Sequence, residues 1–298
     1  MTLCLAWKQG NEIFFTSDSR LTDPNYAVVT NDATKIFKID VRIFGPSSAD
    51  NPGMPDPLLY QTTFGMCFSG SFLNGSIIVD TIEEVLSNIQ GSEEYSDFSI
   101  NNLIDIALSI YRQISIQLMG IHRQYGLSTV LIGGYCPINN DFHLFQFKSS
   151  QETPESEILF EKNEINLDDV NPYMIGDQTA QNMASDLFES VAGNYTYFHL
   201  MREVIRNQEV PTVGGNIQAG KFHPTEFITY GIAECEIEHT EHGPKIKDYY
   251  KFRGHSIDFS EEALSQGNIS IRKVLFNPFQ HERDEYFADI MKNHWGVE

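Results

Sequence analysis

The chain has 298 residues, of which 41% are hydrophobic and 12% aromatic, and this composition supports a folded, enzyme-sized domain with a large core. It carries 20 basic and 41 acidic side chains, so its net charge of −21 argues against nucleic acid and anionic membranes as partners. No apolar run reaches the roughly 18–20 residues that a membrane span needs. We expect no secretory signal, because the first residues alternate and lack a basic segment.

The four cysteines lie far apart, without the close pairs typical of metal sites: Cys4, Cys67, Cys136 and Cys235. We interpret them as buried thiols in the strands of a protein from a reducing cytoplasm, and we expect no metal site.

The first 39 residues show a strand pattern. Apolar residues alternate with other residues from position 3 to 8, and a second apolar stretch runs from 13 to 16 after a turn at Gly10. The pattern predicts a β-hairpin at the start of the chain. The second strand leads into Asp18, Ser19 and Arg20. Lys35 stands just before another alternating run, so we expect it at the start of a strand.

Helical spacing follows over 72–89 and from about 99 to 121, and a third helical stretch from 180 to about 207 is broken near Gly193. Further strands are predicted over 127–133, 142–147, 216–222 and 245–252. The acidic segment 151–169 is expected to be a surface loop. The order of strand pairs and helix pairs favours one domain over residues 1–259, followed by a C-terminal extension over 260–298 whose role the sequence does not indicate.

Thr2 becomes the first residue if an aminopeptidase removes Met1, which these enzymes do when the next side chain is small. Its hydroxyl would then be a nucleophile, and its own α-amine, with an ordinary pKa of about 7.7–8.0, would be the base. Threonine is common at position 2, so this residue alone does not indicate catalysis.

The stretch from Thr2 to Ile39 resembles the start of a proteasome β-type subunit, a family of N-terminal-nucleophile hydrolases. The likeness runs to about residue 90 and continues more weakly to about 255. The Asp-Ser-Arg form, with the segments 175–177 and 212–214, is more similar to the bacterial Anbu-type branch than to the 20S or HslV branches. The matching residues are Thr2, Asp18, Ser19, Arg20, Lys35, Ser69 and Gly70.

The resemblance implies an α+β fold, a four-layer αββα sandwich. It also implies that Thr2 Oγ attacks an amide carbonyl and that water then hydrolyses the acyl-enzyme ester. Lys35 would lower the pKa of the Thr2 amine, Asp18 would hold Lys35, and the Gly70 N–H would form the oxyanion hole. Ser19, Arg20 and Ser69 would support these groups. The implied partners are a peptide or small amide substrate and further copies of the chain, in a ring or open helical stack, with no cofactor.

Two departures from the family pattern concern the groups around the amine. The family's Asp-x-x-Ser before Gly-Gly falls on Val210 and Val213, and the polar residues Glu209 and Thr212 each lie one position away. Asp177 stands where the family has a serine near the nucleophile's amine, and a carboxylate there would raise the pKa of that amine. These departures leave two alternatives open: a catalytically inactive scaffold of the same fold, and a non-peptidase amidohydrolase that acts on a small amide.

Overall fold

The computed structural model describes residues 2–46, 56–92, 97–122, 126–151, 156–168, 171–190, 197–207, 209–240, 243–256 and 275–279. Its helices are α1 (Phe72–Leu86), α2 (Ile100–His122), α3 (Gln178–Ser190) and α4 (Tyr197–Arg206). Its strands are β1 (Leu3–Gln9), β2 (Glu12–Ser17), β3 (Leu21–Thr22), β4 (Val28–Thr30), β5 (Ile36–Phe44), β6 (Leu58–Gly70), β7 (Ile89–Gln90), β8 (Ser128–Tyr135), β9 (Phe142–Ser150), β10 (Leu159–Glu164), β11 (Tyr173–Gly176), β12 (Gln218–His223), β13 (Glu226–Thr240), β14 (Gly243–Phe252), β15 (His255–Ser256) and β16 (Leu275–Phe276).

Most of these strands belong to two large sheets. The first has the order β11-β1-β2-β12-β13-β14-β15, with β16 parallel to β13, and the second has the order β10-β9-β8-β6-β5-β7. Strands β3 and β4 form a separate short hairpin. The predicted N-terminal hairpin is confirmed, because Cys4 pairs with Ser17 and Gln9 with Glu12. Lys35 does stand directly before β5, as expected.

Buried apolar side chains form three clusters. The first joins the second sheet to α1 and α2, and includes Phe64 and Ile104. The second joins the first sheet to α3 and α4, and includes Leu5 and Met201. The third contains side chains of both sheets, such as Phe15 of β2 next to residues of β6 and β8. The fold is therefore a mixed α/β structure in which helices and sheets share these clusters.

The cysteine side chains that the structure describes are buried free thiols: Cys4, Cys67 and Cys136. Burial raises the pKa of the Cys67 thiol well above its ordinary value, so this group stays protonated at neutral pH. The Cys235 side chain lies outside the described residues, as does the helix break predicted near Gly193.

The prediction of a loop over 151–169 is wrong in part, because β10 lies within it. Leu159 pairs with Ser150 and Glu164 with Phe145 in an antiparallel ladder with β9. β10 is at the edge of its sheet, and its Leu159, Glu161 and Glu164 side chains are exposed. Charged edge strands resist pairing with other chains. Because of these exposed charges, β10 lacks the buried apolar face by which a strand is recognised in a sequence.

The described part of the C-terminal extension packs on the first sheet. β16 pairs with Gly231 and Ile232 of β13. Phe279 is only 2% exposed, and its ring lies 4.9 Å from the ring of His199, edge to face. The guanidinium of Arg202 lies 4.1 Å from the same ring. This segment therefore contributes a side chain to the cluster between the first sheet and α4.

Candidate active site

Thr2 directly precedes β1 and is only 4% exposed. Its carbonyl oxygen accepts a hydrogen bond from the backbone N–H of Asp177 at 2.9 Å. Gly176 permits this close approach, because its φ is 126° and a Cβ there would lie 1.7 Å from the Thr2 oxygen. The hydrogen bond from Asp177 and the glycine beside it therefore hold Thr2 next to the start of α3.

Lys35 and Asp18 form an ion pair that is closed to solvent. Lys35 Nζ lies 3.0 Å from Asp18 Oδ1, and the two side chains are 2% and 0% exposed. The same Oδ1 accepts a hydrogen bond at 3.1 Å from the backbone N–H of Leu3, the amide that follows Thr2. The lysine ammonium and the peptide group of Thr2 therefore meet at one carboxylate oxygen.

The other oxygen of Asp18 is occupied by the main chain. Oδ2 accepts hydrogen bonds from the N–H groups of Arg20 at 3.0 Å and Gly214 at 3.1 Å. Buried charges are tolerated when they are paired and hydrogen-bonded. Three backbone donors and one ammonium meet this requirement for Asp18.

Gln218 on β12 is a residue of this site that sequence reasoning missed. It is 1% exposed, and its Oε1 accepts a hydrogen bond from the backbone N–H of Lys35 at 3.0 Å. Its Nε2 donates to the carbonyl oxygens of Asp18 and Ala33, both at 3.0 Å. The sequence gives no signal for this role, because a glutamine in a predicted strand is expected to point toward solvent.

Ser19 and Arg20, expected as supporting residues, hold loops together behind the ion pair. Ser19 Oγ donates to the carbonyl oxygen of Asn31 and accepts from the N–H of Asn216 at 2.7 Å. Arg20 Nε donates to Asn31 Oδ1 at 2.9 Å, and its Nη1 donates to the carbonyl oxygen of Pro211 at 3.2 Å. Neither residue lines the cavity that contains Thr2.

Thr2, Lys35 and Gly70 line one cavity of about 540 Å³. Its walls also include apolar side chains such as Phe68 and Phe72. Gly70 ends β6 with a φ of 99°, and a Cβ at this position would lie 2.6 Å from the carbonyl oxygen of Leu127. Helix α1 begins directly afterwards, with Ser71 Oγ accepting from the N–H of Asn74 at 3.3 Å. Ser69 is buried and is not part of the cavity lining.

A second cavity, of about 450 Å³, is lined by Asp177, Glu209 and Thr212, the polar residues at which the sequence departs from the family pattern. Thr212 Oγ1 donates to Asp177 Oδ2 at 2.7 Å. Asp177 Oδ1 caps α3, since it accepts from the N–H groups of Thr179 and Ala180 at 2.9 and 3.2 Å. Glu209 is exposed at the cavity wall.

Val210 and Val213, at the positions where the family has Asp and Ser, point into the apolar core. They are 2% and 0% exposed and belong to the cluster between the first sheet and α3 and α4. Neither position therefore offers a polar group to Thr2. The polar side chains of the neighbouring Thr212 and of Asp177 are bonded to each other.

Within the described residues, no three His, Cys, Asp or Glu side chains are grouped so that they could hold a metal ion. None of the described helices is both long enough and apolar enough to cross a membrane.

No protein-family model matches this sequence, and no curated protein matches it. Several solved structures do match. The structure is similar to Anbu and HslV subunits. The match to Anbu (ancestral β-subunit) from Yersinia bercovieri has 15% identity and a TM-score of 0.49, and it covers 76% of this chain and 86% of the other.

An Anbu (Gly-1) mutant from Hyphomicrobium sp. strain MC1 matches with 13% identity and a TM-score of 0.48, covering 100% of this chain and 98% of the other. Eukaryotic HslV from Trypanosoma brucei matches with 11% identity and a TM-score of 0.39, covering 74% of this chain and 99% of the other. These matches name the same family as the sequence resemblance.

Proposed function

We propose that this chain is an N-terminal threonine amide hydrolase in which Thr2, once Met1 is removed, is the nucleophile. The observation that carries the proposal is the shared cavity: Thr2, Lys35 and Gly70 line the same 540 Å³ space. In the proposed chemistry Thr2 supplies the nucleophile and its base, Lys35 tunes that base, and Gly70 supplies a backbone donor for the oxyanion.

Thr2 Oγ attacks the carbonyl carbon of an amide, and the α-amine of Thr2 takes the hydroxyl proton. The same amine then gives a proton to the departing nitrogen, which leaves an ester on Thr2, and water hydrolyses that ester. The ammonium of Lys35 favours the neutral form of the α-amine, because a like charge nearby lowers its pKa. Asp18 supports this role by holding the ammonium 3.0 Å from its Oδ1.

Gly70 supplies the oxyanion hole in this proposal. It lies at the junction of β6 and α1, and the positive end of a helix dipole favours negative charge near the first turn. Backbone donors aimed at a developing oxyanion contribute about 3–4 kcal/mol each in enzymes that use them.

We further propose that the two large sheets and four helices form a four-layer αββα sandwich. Support comes from the three clusters: one contains residues of both sheets, and the other two each join one sheet to a helix pair. Within this fold the expected substrate is a peptide, with a small amide as the alternative. We also propose that the chain acts in the cytoplasm and assembles with copies of itself.

A specific observation favours a second candidate, an inactive scaffold. Val210 and Val213 are buried in an apolar cluster, so the polar groups that the family places there are missing. Both carboxylate oxygens of Asp177 are occupied, one by the N–H groups at the start of α3 and the other by the Thr212 hydroxyl. The two candidates differ in whether Thr2 reacts.

A peptide epoxyketone distinguishes the two candidates, since this reagent forms a stable ring only with a threonine that has both a free hydroxyl and a free α-amine. The protein is incubated with the reagent, and its intact mass is followed in the wild type, in Thr2→Ala and in Thr22→Ala. Thr22 lines the same cavity and is the matched control. We expect labelling of the wild type and Thr22→Ala and none of Thr2→Ala. Equal labelling of Thr2→Ala, or an unreactive wild type that begins at Thr2, contradicts the proposal.

A further inference from the structure

We propose that Gln218 is a positioning residue that holds Lys35 beside Thr2 by clamping the main chains of Lys35 and Asp18 to each other. This inference rests on the proposed function, because it assigns a purpose to the placement of Lys35.

The clamp consists of three hydrogen bonds from one side chain. Gln218 Oε1 accepts from the N–H of Lys35, and Nε2 donates to the carbonyl oxygens of Asp18 and Ala33, all at 3.0 Å. Gln218 is 1% exposed, so water does not replace these bonds. Loss of the amide would remove a buried partner from all three main-chain groups, of which the Asp18 carbonyl oxygen has a second donor, Ser17 Oγ at 3.0 Å.

The clamp also connects the two large sheets at the end where Thr2 lies. Gln218 begins β12 in the first sheet, where it pairs with Ser17 of β2, directly before Asp18. Lys35 precedes β5, which belongs to the second sheet. One amide therefore fixes the end of a strand in one sheet relative to the start of a strand in the other.

This placement matters for Lys35 more than for Asp18. Asp18 keeps its position through the N–H groups of Leu3, Arg20 and Gly214, none of which involves Gln218. Lys35 reaches Asp18 through a four-carbon chain with many rotamers, so the position of its ammonium depends on where its backbone is held. Loss of the amide should thus displace the cation from Thr2 while the carboxylate stays in place.

The pKa of the Thr2 α-amine reports this displacement. Lys35 lowers that pKa when it is close, so a displaced ammonium should let it rise. Other charged or titratable residues near Thr2 are Asp18, which binds the amide that follows it, Asp177, whose N–H binds its carbonyl oxygen, and Asp23 and Tyr26, which line the same cavity. Of these four residues, Asp18 is hydrogen-bonded to the Gln218 side chain, through its carbonyl oxygen.

The test compares Gln218→Met with Thr16→Val in protein whose mass shows Thr2 as the first residue. Methionine keeps the length of the side chain and removes all three hydrogen bonds. Thr16 Oγ1 donates to the carbonyl oxygen of Gln218 at 2.8 Å, so Thr16→Val removes one buried hydrogen bond to the same residue and leaves its amide contacts intact. The pKa of the α-amine is measured by NMR on threonine-labelled protein, and epoxyketone labelling is followed from pH 5 to 9.

We expect Gln218→Met to raise the α-amine pKa by roughly half a unit or more. The acid limb of the labelling profile should move to higher pH, and labelling at pH 7 should slow by roughly threefold or more, because less of the amine is neutral. Reversible binding of the reagent should change less than about twofold, because Gln218 does not line the cavity. Thr16→Val should lower the unfolding temperature without moving the α-amine pKa or the acid limb of the labelling profile.

An unchanged α-amine pKa in Gln218→Met, with only a loss of stability like that of Thr16→Val, overturns the positioning role and leaves the proposed function standing. A wild-type protein that is never labelled, but whose amine pKa rises in Gln218→Met, contradicts the proposed function and keeps the clamp. Retention of Met1 in every preparation contradicts both.

Discussion

Lys35 Nζ and Asp18 Oδ1 lie 3.0 Å apart, with side chains that are 2% and 0% exposed. Burial of an ion pair is not in itself stabilising, since the cost of removing two charges from water can exceed their attraction. Asp18 also has three backbone N–H donors, so the lysine is one of four groups that compensate its charge. The pair therefore matters most as a device that keeps a cation at the wall of the Thr2 cavity.

Replacing Lys35 with methionine should abolish labelling of Thr2, with a rate loss of roughly 10³-fold or more. It should also cost about 3 kcal/mol in the free energy of unfolding, because a buried carboxylate loses one partner. Labelling rates and urea unfolding measure the two effects. Lys221→Met is the control, since its pair with the exposed Glu12 should contribute no more than about 1 kcal/mol. Wild-type labelling of Lys35→Met would refute the role of Lys35.

Gly70→Ala should both destabilise the fold and slow labelling. The position has a φ of 99°, and the new Cβ would lie 2.6 Å from a carbonyl oxygen that belongs to the backbone. We expect a loss of about 1–3 kcal/mol of stability and roughly 10²-fold in labelling rate. Gly10→Ala is the matched control, because its φ is also positive, at 61°, but nothing lies within 4 Å of its Cβ position. Similar losses in both variants would show that Gly70 has no role beyond its backbone angle.

Tyr111 should make the protein less stable in alkali. Burial raises the pKa of Tyr111 to about 12, and its hydroxyl donates to the carbonyl oxygen of Ser128 and is also hydrogen-bonded to Ser149 Oγ, 2.9 Å away. The folded pKa lies above the unfolded one, near 10, so this contribution is complete below pH 10 and disappears as the pH rises to 12. The loss is about 2–3 kcal/mol.

Urea unfolding of the wild type and Tyr111→Phe at a series of pH values checks this prediction. The variant should start about 1–2 kcal/mol less stable, because the buried carbonyl oxygen of Ser128 loses this donor and Ser149 Oγ loses a hydrogen-bond partner. Its stability should then fall less steeply above pH 10. Parallel curves for the two proteins would contradict the assigned cause.

Phe279→Ala should destabilise the protein by about 3–5 kcal/mol, although the residue lies in the C-terminal extension. Its ring is 2% exposed and contacts both His199 and Arg202. Thermal unfolding measures the loss. Leu159→Ala is the control, because Leu159 is 52% exposed and its loss should change stability by less than about 1 kcal/mol. A melting temperature equal to that of the wild type would mean that the extension adds nothing to the core.

The elements that the sequence predicts well are those with a strong period. The N-terminal hairpin and the helices α1 and α2 follow from alternating or helical spacing, and Lys35 is placed by the strand that begins at Ile36. β10 is not predicted, because an exposed, charged segment has the same composition as a surface loop.

The site is less accessible to sequence reasoning because its geometry comes from distant segments. Asp18 and Lys35 stand near each other in sequence, but Gln218 joins them from 200 and 183 residues away. Likewise, the sequence shows that Val210 and Val213 are apolar but not that they face the cluster between the first sheet and its helices. A pattern within one strand cannot reveal which main-chain groups a buried amide will meet.

The intact mass of the protein purified from its own host tests most directly whether Thr2 is a nucleophile that uses its own amine. We predict the mass of a chain that lacks Met1, with N-terminal sequencing that begins at Thr2 and Leu3. A population that carries Met1 throughout would contradict this mechanism, because an amine held in a peptide bond cannot accept the proton of the Thr2 hydroxyl.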